Sequence, residues 1–361
     1  MKQSIAIALS GGVDSLVSAY LLKKQGHNVI GIHFLTGYGK DTSKDQDLSY
    51  SNPDLQKIYN IAEQLDIQVK IIDISADFDS KVIKYFTTTY LSGKTPNPCL
   101  ICNQLIKFGL VLSFAKTLGT SYLATGHYAR IKKDNTGKVH LLTGIDIKKD
   151  QSYFLSFLKQ NQLLRACFPL GNMTKKEVVE FAKDKGLVPL SQKESQDICF
   201  IQGDNYKNFL AKQHGFFSKP GIIEDVKGKV LGSHNGLHLF TIGQRKGINC
   251  PASEPYYVAG MNTKQNRLIV GFKKDLMSSK CSVININWIN EKVDLPITVA
   301  TRIRYRHKAV PALVTPVDKN TAAINFFTPQ KAVTPGQAAV FYNGEEVIGA
   351  GWIETVNNEK K

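Results

Sequence analysis

The stretch SIAIALSGGVDSLVSAYLL, residues 4–22, runs an apolar segment straight into a pair of glycines and then into a helical pattern. An uninterrupted apolar run of this length suits a strand buried on both faces, which belongs to a parallel sheet covered by helices. Leu16, Val17, Tyr20 and Leu21 share one side of the helix that follows, and Gly26 closes it. Three further apolar runs, NVIGIHF (28–34), IQVKIID (67–73) and SYLATG (121–126), repeat the alternation of strand and helix. The expected fold class is therefore α/β, a Rossmann-like doubly wound parallel sheet whose ligand lies at the carboxyl ends of its strands.

The junction itself, Ser10-Gly11-Gly12-Val13-Asp14-Ser15, has the chemistry of a phosphate loop. Two glycines let consecutive N–H groups turn toward an anion, and the helix N-terminus adds its positive end. Ser10 and Ser15 bring hydroxyl donors, and Asp14 suits the Mg²⁺ that accompanies a nucleotide. Neither the GxxxxGK[ST] nor the GxGxxG spacing fits here, which excludes the usual kinase and dinucleotide loops.

After about residue 200 the helical patterns thin out. Short alternating runs take over: GKVLGSHNGLHLFTIG, YYVAG, RLIVG, SVININWIN, ITVATRIRYR, TAAINFF, AAVFYNG and VIGAGWIE. We expect domains at 1–205, 206–275 and 276–361: a nucleotide-binding α/β domain, a small β-rich middle domain and a C-terminal β-barrel. No apolar run approaches the ~18 residues of a membrane span, and Ser10-Gly11-Gly12 interrupts the N-terminal run too early for a signal peptide. A cytoplasmic protein without a membrane partner is expected.

Six cysteines without a regular framework point to free thiols, ligands or catalysts in a reducing compartment. Cys167, Cys250 and Cys281 need no role beyond packing. Cys99 and Cys102, three apart in TPNPCLICN (95–103), can hold a metal, exchange electrons or supply a nucleophile. The excess of 46 Lys+Arg over 30 Asp+Glu, a net charge of +16, favours a polyanionic partner. In TRIRYRH a strand would place Arg302, Arg304 and Arg306 on one face, suited to phosphates, with Ile303 and Tyr305 on the other. Arg245 and Lys246 in FTIGQRKGI and the lysines of KKDQ (148–151) add basic segments in the other two modules.

The loop at 10–15 resembles that of the PP-loop ATP pyrophosphatases, the adenine nucleotide alpha hydrolase-like enzymes that cleave ATP between its α and β phosphates. Together with TPNPCLICNQLIKFG (95–109), ATGHYAR (124–130), KDQSYFL (149–155), ESQDICFI (194–201), FTIGQRKGI (240–248), RYRH (304–307) and TPGQAAVFYNGE (334–345), it makes the chain similar to the tRNA-specific 2-thiouridylases nearly end to end. That resemblance implies an ATP site at Ala8, Leu9, Ser10, Gly11, Gly12, Val13, Asp14 and Ser15, with Phe34 and Gly126 beside the adenosine. It implies Cys102 as nucleophile and Cys199 as the persulfide-bearing cysteine, the two becoming a disulfide. Asn97, Pro98 and residue 99 would face the target base, and His127, Lys149, Asp150, Gln151, Arg306, His307 and Gln337 would contact tRNA. The implied tRNAs are those for Lys, Glu and Gln, and the implied sulfur donor is a cysteine desulfurase or a relay protein; DNA is not an expected partner.

Position 99 departs from the family, many of whose members have aspartate there. With Cys102 and Cys199 it supplies three thiolates, the set for three irons of a [4Fe–4S] cluster with the fourth left open. Zinc fits less well, lacking an evident fourth ligand. The other reading of Cys99 is a spare small residue. Two rival functions remain: an amidating or ligating PP-loop synthetase, which leaves both thiols idle, and a non-catalytic RNA-binding or sulfur-carrier scaffold.

Overall fold

The computed structural model describes residues 2–38, 53–190, 198–201, 206–213, 217–290 and 296–358. By internal packing the chain divides into two units. The first comprises Met1–Val82, Cys99–Gln202 and Glu345–Ile348, and the second Ile83–Pro98, Gly203–Gly344 and Gly349–Lys361.

The first unit is built on the expected doubly wound sheet. Strands β1 (Ser4–Ala8), β2 (Asn28–Leu35), β3 (Gln68–Asp73) and β4 (Tyr122–Ala124) are joined by β7 (Ala166–Cys167) in the order β3-β2-β1-β4-β7, every pair parallel. The strand order reverses at β1, so the loops leaving β1 and β4 open the crevice at which such sheets bind ligands. Ile5, Ile7, Leu16 and Val17 are buried together under helices Val13–Lys24, Pro53–Leu65 and Lys175–Asp184. In β3, by contrast, no side chain is fully buried, although it reads as a two-face apolar run. The reason is its place at the sheet edge.

One helix, Pro98–Thr117, is long and apolar enough to cross a membrane by length and composition, more than the apolar runs suggest. Half of its apolar window is packed inside the protein, and Leu100, Ile106, Phe108 and Val111 are core residues. From Cys102 to Val111 it is wound as a π-helix, a form that tends to mark functional sites.

A hairpin of β5 (Ala129–Lys133) and β6 (Val139–Thr143) completes this unit, where Leu141 and Leu142 pair antiparallel with Val347 and Glu346. His140 clasps that edge, its Nδ1 2.7 Å from Glu346 Oε1 and its Nε2 3.1 Å from Asp134 Oδ2. The bonds to Glu346 and then to Asp134 raise its pKa above the ordinary 6.5. A base raised on folding stabilises the fold fully below the unfolded pKa and loses that contribution as pH rises through the folded one. An NMR titration should place the His140 midpoint above 6.5; a midpoint at or below it would remove the clasp.

The second unit holds two β structures. Strands β8 (Gly221–Asp225), β9 (Val230–His234), β10 (Tyr257–Asn262) and β11 (Arg267–Gly271) form a sheet in the order β10-β11-β8-β9 around Ile223, Val258, Leu268 and Val270. Strands β12 (Met277–Trp288), β13 (Ile297–Arg302), β14 (Val310–Pro316), β15 (Thr321–Lys331), β16 (Ala338–Asn343) and β17 (Glu346–Asn358) run β12-β15-β14-β13-β16-β17, and pairing of β12 with β17 closes the barrel. Closure removes the exposed edges that an open sheet would leave.

One expectation fails here. β13 ends at Arg302, and residues 303–307 bend and turn, with the His307 N–H donating to Arg304 O at 3.0 Å. Arg302, Arg304 and Arg306 therefore share no strand face. Ile303, 1% exposed, drives the bend by plugging into the core, which leaves Arg304 and Arg306 exposed on the turn.

Candidate active site

The loop after β1 has the geometry of an anion cradle. Gly11 adopts φ +78°, which a side chain rarely tolerates. The Ser15 hydroxyl donates to Gly12 O at 2.9 Å and accepts from the Ser10 N–H at 3.3 Å. Helix Val13–Lys24 begins at Gly12 without a side-chain cap, so its first N–H groups remain available to an anion. Gly126, after β4, lies against this loop: a Cβ there would stand 2.9 Å from the Asp14 carbonyl carbon and 3.0 Å from the Ser15 nitrogen. Ala8 and Leu9 close the end of β1, with Leu9 O 2.8 Å from His33 Nδ1, and Phe34 sits half-buried near the end of β2.

Asp14 is already engaged. Its Oδ1 accepts from Tyr128 Oη at 2.7 Å, and Lys175 Nζ lies 2.7 and 2.8 Å from its two oxygens. A Mg²⁺ ion at this carboxylate would have to displace an ammonium, so Asp14 as it stands is an ion-pair partner rather than a preformed metal ligand. Lys175, Tyr128 and Leu190 have no place among the sequence-level candidates. Lys175 opens helix Lys175–Asp184 behind the Thr174/Glu177 capping box, and the TKKE string is the signal that marks that helix start. Leu190 donates its N–H to Gly11 O at 2.9 Å and packs where a Gly11 side chain would be.

Cys99 and Cys102 occupy the first turns of helix Pro98–Thr117 and keep part of their surface accessible. Their surroundings are nonetheless dense: burial pushes Cys99 up to about 11 and Cys102 up to about 12. Cys199 raises both further, and Lys107 is the cation that opposes the shift. The backbone around Cys102 is tied by side-chain hydrogen bonds. Asn103 Nδ2 donates to Phe154 O at 2.9 Å, Gln104 Nε2 to Phe157 O at 3.0 Å, and Gln162 Nε2 to both Gln104 O (2.8 Å) and Phe108 O (2.9 Å). Cys199 itself is exposed, at the tip of a turn closed by Ile201 N–H to Ile198 O. Phe200 anchors that turn, its ring 5.8 Å from Phe78 and 6.3 Å from Tyr38. Residues 194–197 of the same string lie outside the described residues.

Among the described residues no group of three His, Cys, Asp or Glu side chains is placed to hold a metal ion. The three thiols thus do not form a cluster cradle as they stand.

Several expected RNA contacts face inward. Asp150 accepts from the Gly144 N–H (3.2 Å) and from the Ser152 N–H and hydroxyl (both 3.0 Å), so its carboxylate organises its own loop. Gln151 Oε1 accepts from the Tyr128 N–H at 3.0 Å and thereby supports the Tyr128–Asp14 contact. His127 is buried, with Nδ1 2.7 Å from Thr125 Oγ1, and burial, aided by Lys107, pushes its pKa well below the usual value. It stays neutral at physiological pH. Lys149 is half-buried beside exposed Lys148.

In the second unit Gln337 Nε2 donates to Thr95 O and Pro96 O, both at 3.0 Å, and the Asn97 N–H donates to Tyr85 Oη at 3.2 Å. These bonds hold the segment through Pro98 that leads into Cys99. Arg306 is exposed, whereas His307 is half-buried, and burial and then Arg304 lower its pKa.

Three family models match in succession: the tRNA methyl transferase HUP domain over residues 3–203, the tRNA methyl transferase PRC-barrel domain over 207–272, and the aminomethyltransferase beta-barrel domain over 278–353. A protein of Desulfosudis oleivorans described as tRNA-specific 2-thiouridylase MnmA is 48% identical, covering 97% of this chain and 94% of its own. Proteins of the same description from Geotalea uraniireducens (43% identical; 99% and 97% covered) and Chlorobium phaeobacteroides (41%; 100% of both) match as fully. With a nucleotide loop at the head of a parallel sheet, a thiol pair on the helix beside it and full-length identity at this level, the chain belongs to the tRNA-specific 2-thiouridylase family.

Proposed function

We propose that this protein uses ATP to exchange the C2 oxygen of a tRNA wobble uridine for sulfur. The observation that carries the reading is the presence, in one packed unit, of a phosphate loop and of the free thiols Cys99, Cys102 and Cys199. The uracil oxygen is a poor leaving group. Its attack on the α-phosphate of ATP, with pyrophosphate departing, turns it into an adenylate that sulfur can displace as AMP.

The N–H groups of residues 11–15 bind the phosphates, and Lys175 supplies a cation beside them. Mg²⁺, when bound with ATP, further neutralises phosphate charge. Exposed Cys199 receives a sulfane sulfur from a persulfide-bearing protein, a desulfurase or a relay. Cys102 then attacks the inner sulfur of that persulfide, the terminal sulfur passes to uridine C2, and a Cys102–Cys199 disulfide remains for an external dithiol to reduce. The exposed Arg304 and Arg306 are available to RNA, whereas His127 is buried, and the implied substrates are the tRNAs for Lys, Glu and Gln.

The test is nucleoside mass spectrometry on unthiolated tRNA incubated with iron-depleted protein, ATP, Mg²⁺ and a persulfide-generating desulfurase. Appearance of 2-thiouridine is expected. Product only after iron and sulfide reconstitution would replace the thiol route with a cluster route. AMP formation stimulated by a small carboxylic acid instead of RNA would point to a ligating synthetase.

A further inference from the structure

Helix Pro98–Thr117 has a second use for its surface. Gln104, Phe108, Ser113 and Lys116 lie along one stripe of it and form a wall of a cavity of about 770 Å³ within the first unit. Lys133 at the end of β5, Lys159 and Arg165 complete its charged lining, and no lining residue is acidic. All four cations are exposed, and none makes an ion pair among the described residues. Asp134, the acid next to Lys133 in the chain, is held by Thr136 and His140. A surface lysine cluster ordinarily has both signs interspersed. Four cations converging on a concavity without a carboxylate form a focused positive field.

We propose that this groove binds the phosphodiester backbone of the RNA substrate, as a second anion site distinct from the nucleotide loop. The proposal rests on the tRNA reading above. Both walls begin at the candidate chemistry: the helix starts at the thiols, and β5 starts two residues after His127. Lys116 follows Cys102 by 14 residues, or roughly 20 Å along a helix at about 1.5 Å per residue. A stem whose unpaired base lies at Cys102 therefore has backbone within reach of the groove. Asn161 and Ser113 add neutral donors of the kind that bind phosphate oxygens. Gln162 also lines the groove while bonding two carbonyls of the π-helix, so RNA seated here bears on the frame that orients Cys102. An acidic protein segment would be the other polyanion, but backbone phosphates supply more charge per length and are already the substrate's main feature.

The test compares unmodified tRNA binding to wild type, Lys133→Glu/Lys159→Glu and Lys116→Glu/Arg165→Glu at about 50 and 200 mM salt. Each double variant should bind about tenfold or more weakly at low salt, and its log–log salt slope should shrink by about one to two. Unchanged melting temperatures would show that these surface changes leave the fold intact. If wild type binds and the variants match it in Kd and slope, the groove is not an RNA site. Should thiolation in those variants then fall with a protein persulfide donor but hold with inorganic polysulfide, which delivers sulfane sulfur to Cys199 directly, the groove belongs to an acidic protein segment, and the proposal is overturned. A wild type that binds no tRNA at either salt would instead bring down the function on which the proposal rests.

Discussion

Cys199→Ser is expected to lose 2-thiouridine formation by about a thousandfold or more while still releasing pyrophosphate in the first turnover with tRNA and ATP. Adenylation needs the phosphate loop and the base but no thiol, whereas sulfur delivery needs a sulfur atom that serine cannot carry. Cys102→Ser should fail equally at product formation, yet Cys199 in that variant should still accept a persulfide, detectable as a 32 Da adduct. The two variants thus divide the reaction at different steps. Either one thiolating at more than about a tenth of the wild-type rate would disprove its assigned role. The raised pKa of Cys102, about 12, adds a sign. A thiol is protonated below its pKa, so where its attack limits turnover the rate should climb as pH rises from neutrality, by up to tenfold per unit. Cys99→Ser separates the two readings of the third thiol: a thiol route loses less than about tenfold, whereas a cluster route loses everything.

The parts legible from sequence are those whose cause is local. Ser10 to Ser15 announce a phosphate loop because two glycines between an apolar strand and a helix leave few other conformations, and β1, β2 and β4 fall close to their apolar runs. What stays hidden depends on partners distant in the chain. Asp14 looks like a free carboxylate until Lys175, 161 residues away, is found on it. Asp150, Gln151 and Gln337 have the look of RNA contacts in a motif, yet their polar atoms hold backbone in place. Alternation across ITVATRIRYR suggests a strand that burial of Ile303 instead bends. The packing units likewise cut across chain order, since 83–98 and 345–348 pack away from their sequence neighbours.

Gly126→Ala should have the second large effect, because its cause is space rather than backbone strain. The added carbon would lie 2.9 to 3.0 Å from the Asp14 carbonyl carbon, the Asp14 Cβ and the Ser15 nitrogen, all at or next to backbone. Nothing flexible is available to move, so the loop must shift away from β4. With it go the Tyr128 and Lys175 bonds to Asp14. A displacement near 1 Å at a reacting group can cost about a hundredfold, and overpacking costs about 1–3 kcal/mol of stability. We expect ATP-dependent pyrophosphate release to drop by about a hundredfold, with a lower melting temperature. Gly186→Ala is the control, since Gly186 has φ +66° but open space around its missing Cβ. It should cost about 1 kcal/mol through strain alone and leave ATP use unchanged. If Gly126→Ala handled ATP like that control, the crevice between β1 and β4 would not be where the phosphates bind.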